Sequence, residues 1–264
     1  MKEQRPITLP STGRAADAAY LAAADVAAIA TQMQAEYRLI GGLAVTLLTV
    51  VHGVDHLVPG RETADADFGA DHQVIGDPGL SIALTERGYE RAAGNRFRRI
   101  RTAGTDTDPA EPLELVVDVL APSYEGRLRT NRPYGTLVVD EIPGLAVALA
   151  RTGLEITAKV QLTDRSELTS DLVIPDAVSA LILKAYAYRD RLSDRDAVDI
   201  WRLLEAAHAA GVTAETWPRG AAATTAAAVL HQFFGRPGAP GLQRLGGQAL
   251  DRTRVVALVA RLVR

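Results

Sequence analysis

The 264-residue chain is predicted to be an α/β protein of the α+β kind, with a mixed-sheet domain over residues 1–172 and a helical domain over residues 173–264. Three observations predict it. "YRLIGGLAVTLLTVV" reads as a buried strand, a glycine turn at Gly41 and Gly42, and a helix. "PLELVVDVLAP" alternates as a strand, with Leu113, Leu115, Val117 and Val119 on one face and Val116 and Asp118 on the other. From Pro175 onward the apolar spacing is helical, through "AVSALILKAYAYRDR" and "DRDAVDIWRLLEAAHAAG" to the end of the sequence.

Taken in order, "AADAAYLAAADVAAIATQMQ" is an alanine-rich helix expected to lie on the body of the protein through Leu21, Val26, Ile29 and Met33. The strand, glycine turn and helix of residues 37–51 follow, and "HGVDHLVPG" reads as a loop. "GRETADADFGA" is a strand whose period of two places Thr63, Asp65 and Asp67 on one face, and Ala64, Ala66 and Phe68 on the other. "DPGLSIALTERGY" has helical spacing. The arginines of "NRFRRIRT" fall on both faces of a strand, which reads as an exposed edge, either guarded by charge or able to bind RNA phosphates. Between Pro122 and Asp171 the pattern is less regular, with β-segments at "GTLVVDEI" and "LEITAKVQL" and a short helix at "GLAVALA". No internal repeat or low-complexity linker separates the two parts.

With 47% hydrophobic residues the chain can bury a core, and its net charge is −3. The charge is unevenly spread. From Asp176 onward 12 basic residues face 8 acidic ones, and before it 17 face 24, so a basic part follows an acidic one. There is no cysteine, which excludes disulfides and thiolate metal sites and fits a reducing compartment. "MKEQRPITLP" has no apolar signal region, and the longest uncharged run, Leu39 to Val54, is too short for a membrane span. The expectation is a cytoplasmic protein.

Two aspartates on one strand face repel each other, so the pair requires solvent, a shared proton or a cation. Same-face aspartates can ligate Mg2+, a hard cation that takes oxygen ligands and shares its sphere with substrate phosphates. A glycine turn opening a helix offers backbone N–H groups and a positive helix end to phosphate. A third carboxylate, Asp118, can complete a metal position or accept a proton from an attacking hydroxyl. In this order the parts make the chemistry of phosphoryl transfer from a nucleoside triphosphate. His52 and His56 are four apart, but Gly53 and Pro59 make that segment a loop and no third zinc ligand accompanies them.

"LIGGLAV", then "RETADADF", then "LVVDVL" resemble the polymerase-beta-like nucleotidyltransferase superfamily. "LKAYAYRDRLSDRDAVDIWRLL" narrows the resemblance to AbiEii-type nucleotidyltransferases, a family that includes toxins of type IV toxin–antitoxin systems and mycobacterial toxins that add nucleotides to tRNA. It covers roughly residues 37–70, 113–121 and 176–205, and implies a nucleotidyltransferase mixed-sheet domain followed by a helical C-terminal domain. It further implies that Asp65, Asp67 and Asp118 are the catalytic, Mg2+-binding acids and that Gly41 and Gly42 hold the triphosphate. Lys184 would reach the triphosphate from the helical part, sharing a polar helix face with Tyr188 and Arg191, and Asp196 would lie near the cleft. Arg61 and Thr63 join the nucleotide-binding set, pairing with the neighbouring aspartates to orient them. Glycine stands where many members have serine, and the spacer from Gly42 to Asp65 is longer than in the compact motif. The expected partners are an NTP, a tRNA or other RNA acceptor, and an antitoxin protein. A small-molecule or protein acceptor, or a non-catalytic nucleotide-binding regulator, are the rival readings.

Overall fold

Apolar side chains alternating along the strands give each a face to bury, and the computed structural model shows how those faces are stacked. It describes residues 5–102, 104–105, 108–109, 112–246 and 249–264. The elements run β1 (Arg5–Pro10), α1 (Arg14–Met33), β2 (Tyr37–Ile40), α2 (Gly41–Val51), β3 (Asp65–Ala70), α3 (His72–Gly76), α4 (Pro78–Glu86), β4 (Glu90–Ala93) and β5 (Arg96–Arg101). They continue β6 (Gly104–Thr105), β7 (Asp108–Pro109), β8 (Leu113–Ser123), β9 (Arg129–Tyr134), β10 (Leu137–Pro143), α5 (Leu145–Ala150), β11 (Leu154–Gln161) and β12 (Glu167–Ile174). Five helices close the order: α6 (Ala177–Arg191), α7 (Asp194–Ala209), α8 (Ala221–Phe234), α9 (Pro240–Gln243) and α10 (Ala249–Leu262).

A seven-stranded mixed sheet carries the order β2-β3-β8-β10-β9, with β5 also paired to β8 and β4 to β5. β3 runs parallel to β8 with Asp67 opposite Asp118, and antiparallel to β2 with Ile40 opposite Asp67. This register brings the turn at Gly41, the β3 aspartates and Asp118 to one place. The other face of β3 and β8 carries Ala66, Phe68, Leu115, Val117 and Val119, all buried, and α1 packs there with Val26 and Ile29 buried and Leu21 and Met33 against the same core. The small alanines of α1 let the helix approach the sheet closely. A buried apolar cluster runs from Leu9 through the sheet to Val263 in the helical part.

Helix boundaries follow local chemistry. Asp77 accepts a hydrogen bond from the Gly79 N–H with Pro78 in the first turn of α4, Asp176 accepts from Ser179 N–H, and Ser193 accepts from Arg195 N–H.

Some expectations are corrected. β5 is an edge only in part: β4 covers Arg96–Arg98, Arg99–Arg101 pair with β8, and two of its arginines are taken up by acids, Arg96 by Asp118 and Arg99 by Asp25. β1, which the two prolines of "RPITLP" disguised, pairs parallel to β11 at the edge of a separate three-stranded sheet, a position where proline is tolerated. β9 and β12 are hairpin partners of β10 and β11; β9 is polar and owes its strand character to pairing, while β12 turns Leu168, Leu172 and Ile174 to the core from between polar residues.

Phe68 stacks on Tyr37 with ring centroids 5.5 Å apart, behind the carboxylate face. Phe68→Ala is expected to lower unfolding free energy by about 3–5 kcal/mol through lost burial and the cavity left behind, read as a lower denaturation midpoint with an unchanged denaturant slope.

Candidate active site

Three strands and the start of one helix build the site. Asp65, Asp67 and Asp118 each offer a carboxylate oxygen, and these oxygens all lie within 4.8 Å of one another. Thr63 Oγ1 donates to Asp65 Oδ1 at 2.9 Å, so the threonine does orient its neighbouring aspartate. Arg61 does not. Its Nη1 bonds Asp199 Oδ2 on α7 at 2.6 Å, 138 residues away in the chain.

The glycine turn is set by the carboxylates. Gly41 has φ +74°, and a Cβ there would stand 1.6 Å from Asp67 Oδ2, a distance no side chain can occupy. A Cβ on Gly42 would lie 2.5 Å from Arg61 Nη1 and 3.0 Å from Thr63 Oγ1. Ile40, at the N-cap of α2, supplies no capping side chain, so the first N–H groups of α2 have no side-chain acceptor at that position.

Arg96 pairs across the strands with Asp118 and grips it with both arms of its guanidinium, Nε to Oδ1 at 2.9 Å and Nη2 to Oδ2 at 2.7 Å. The same Nη2 is 3.7 Å from Asp65 Oδ2. Burial pushes Asp67 up to about 7, with Asp65 and then Asp118 adding to the rise, while Lys184 and Arg191 pull it down.

Across the cleft, Lys184 is 8% exposed and its Nζ contacts Asp199 Oδ2 at 2.8 Å and Asp196 Oδ1 at 3.3 Å. Arg191 also bonds Asp196, Nε to Oδ2 at 3.1 Å and Nη2 to Oδ1 at 3.0 Å. Asp199 is fully buried and is approached by Arg61, Lys184 and, at 3.6 Å, Arg202. Tyr188 is not on the polar face expected of it: its ring is buried against Phe233 and Phe234.

A cleft of about 510 Å³ opens over this arrangement. Gly41, Asp67, Asp118, Arg96, Lys184 and Arg191 line its polar end, and Leu120, Ile142 and Leu183 line an apolar part. Gly41, Asp67, Asp118 and Lys184 therefore reach one cleft, with Asp65 beside them in the acidic cluster. Thr63 and Asp196 stand behind it, bonded to Asp65 and to Lys184 and Arg191; Arg61 reaches Asp199 instead, and Gly42 lies beside Arg61 and Thr63. Two participants escaped the sequence reading. Asp199 was within the Arg-Asp-x-x-Asp spacing and could have been found as the residue one turn beyond Asp196; Arg96 carried no signal, because only strand register places it opposite Asp118.

The cluster suits a hard divalent cation: oxygen donors alone, three carboxylates converging, and one of them pushed toward its neutral form when no cation offsets the repulsion. A zinc site built from His52 and His56 is not among the acidic and histidine groups that converge in the described residues.

Two outcomes follow. The folded chain holds the Asp67 proton more tightly than the unfolded chain, so the cation-free protein has that stabilisation in full below about pH 4 and loses it as pH rises through about 7. Chemical denaturation in chelator at pH 5 and 8 should show the loss in the wild type and a much smaller one in Asp67→Asn. Gly41→Ala is expected to destabilise by more than about 1 kcal/mol, because the backbone is left-handed there and Asp67 must move; thermal denaturation checks it.

No family model and no curated protein matches the chain. Among solved structures, it is similar to an antigenic nucleotidyltransferase-like protein from Paracoccidioides brasiliensis, at TM-score 0.51 and 15% identity, over 94% of each chain. The fold is therefore nucleotidyltransferase-like, and no helix of the described residues is long and apolar enough to cross a membrane.

Proposed function

We propose that the chain is an Mg2+-dependent nucleotidyltransferase that moves a nucleotide from an NTP to an acceptor hydroxyl. The observation that carries this reading is the convergence of Asp65, Asp67 and Asp118 beside the Gly41 turn, in a cleft whose opposite wall bears Lys184 and Arg191, on a nucleotidyltransferase-like fold.

Asp65, Asp67 and Asp118 would hold the metal, which when bound supplies positive charge against the triphosphate and the leaving pyrophosphate. The acceptor oxygen attacks the α-phosphorus, the bond from that phosphorus to the bridging oxygen of the β-phosphate breaks, and the hydroxyl proton passes to a carboxylate or to water. The chain's own part is position and charge. Gly41 and Gly42 let backbone approach the phosphates, and Lys184 and Arg191 offset their charge from the far wall. Asp196 and Asp199 hold those two cations in place, and Thr63 fixes Asp65. Arg61, tied to Asp199, joins the loop before β3 to α7. The helical domain, residues 173–264, closes the cleft over the sheet domain, residues 1–172.

The resemblance to AbiEii-type proteins supports an RNA 3′ end, tRNA first, as the acceptor, and a cytoplasmic toxin held by an antitoxin as the setting. Arg98, exposed on β5 two residues along the same face from Arg96, supports an anionic acceptor.

The test incubates purified protein with each labelled NTP, Mg2+ and total RNA, beside Asp65→Ala and Asp67→Ala. Label in a tRNA-sized band is expected with the wild type, and a loss of at least about 100-fold in either variant. Unchanged turnover in the variants would sink the assignment. Label on a small molecule or protein supplied in parallel would keep the chemistry and replace the acceptor.

A further inference from the structure

Arg96 is a cation already inside the acidic cluster. Its fork takes both oxygens of Asp118, at 2.9 and 2.7 Å, and its tip lies 3.7 Å from Asp65. A divalent cation drawing on Asp118 must compete with that fork, because each oxygen already accepts a charge-assisted hydrogen bond. The competitor has somewhere to go. Half of the Arg96 side chain is exposed, it lines the same cleft as Lys184 and Arg191, and its backbone is fixed opposite Asp118 by the β5–β8 register. Lys184 and Arg191, the other cations of the cleft, are tied to Asp196 and Asp199, outside the cluster. Arg96 differs from them in that its acid partner belongs to the metal-binding set.

Resting on the metal-site reading above, we infer that Arg96 is the resident counter-cation of the cluster and exchanges from Asp118 onto the triphosphate when a divalent cation arrives. One side chain then links the two binding events. Without nucleotide the arginine neutralises Asp118 and holds the cation's affinity down; with nucleotide the freed guanidinium gains a phosphate partner, and by linkage each ligand tightens the other. Arg96 in this account has two partners in succession, first Asp118 and then the triphosphate.

Mn2+ binding, followed by the electron paramagnetic resonance signal of the free ion, tests this in the full chain without catalysis. Wild type, Arg96→Gln and Arg96→Lys are titrated alone and with a nucleoside triphosphate whose α,β bridge is a non-cleavable methylene. Without the analogue, Arg96→Gln is expected to bind Mn2+ about tenfold tighter than wild type, since one charge-assisted, half-exposed bidentate contact no longer competes. Arg96→Lys, which keeps the charge and loses the fork, is expected to fall between them. With the analogue, the tightening of Mn2+ seen in the wild type should shrink in Arg96→Gln.

Weaker Mn2+ binding by Arg96→Gln would mean that the arginine only holds Asp118 in position, and would overturn the inference. So would Arg96→Lys binding like the wild type, which would reduce the effect to charge at a distance, or an undiminished response of Arg96→Gln to the analogue. If neither wild type nor Arg96→Gln binds Mn2+, the metal-site reading falls and the inference with it; if both bind alike, this inference alone falls.

Discussion

Three carboxylates held within 4.8 Å of one another are the constraint on which the rest of this molecule depends. Ionised and unaccompanied, such a group repels itself strongly in a partly buried setting, and the burial that removes water makes the repulsion worse. The fold answers in three ways at once. Asp67 is pushed toward holding its proton, Arg96 lays a guanidinium on Asp118, and Lys184 and Arg191 face the cluster from the helical part. The register is what brings the carboxylates together on the cleft side: a shift of one residue would turn the β3 aspartates to the apolar face packed against α1.

The same constraint explains the backbone at Gly41. Asp67 lies opposite Ile40, so the chain leaving β2 must turn directly over the Asp67 carboxylate. Only a residue without a side chain can do that, and the left-handed conformation there is one that glycine adopts at no steric cost. The apolar residues on the reverse side, Phe68 and Ala66, are buried where α1 packs on β3 and so fix which way the strand faces. Packing on one face of the strand thereby fixes charge on the other.

The cations opposite the cluster are held by a buried network that crosses between the sheet and the helices. Asp199 is its hub, meeting Lys184 from α6, Arg61 from the loop before β3 and Arg202 from its own helix. Ion pairs of this kind add little net stability over an apolar core of the same volume, since both partners are taken from water. Their effect is on geometry. A long lysine tethered to two acids stays at the wall of the cleft, and an arginine reaching across 138 residues of sequence fixes the approach of α7 to the strand that bears the aspartates.

Much of this was legible in the sequence. Period-two alternation placed Asp65 and Asp67 on one face and Phe68 on the other, the glycine pair marked the turn before α2, and the alanine-rich segment showed the apolar stripe by which α1 packs, because each of these follows from local geometry and the side chains of a short window. Tertiary structure alone decided the rest. The polar strand β9 has strand character only through its partner, and the proline-bearing β1 is placed by its pairing with β11. Arg96 looked like charge on an exposed strand and became the partner of Asp118; Arg61 looked like a partner of the neighbouring aspartates and reached Asp199 instead. A charged side chain settles where its desolvation is offset, and the nearest offsetting charge in space is set by strand register and helix docking, which a sequence window does not contain.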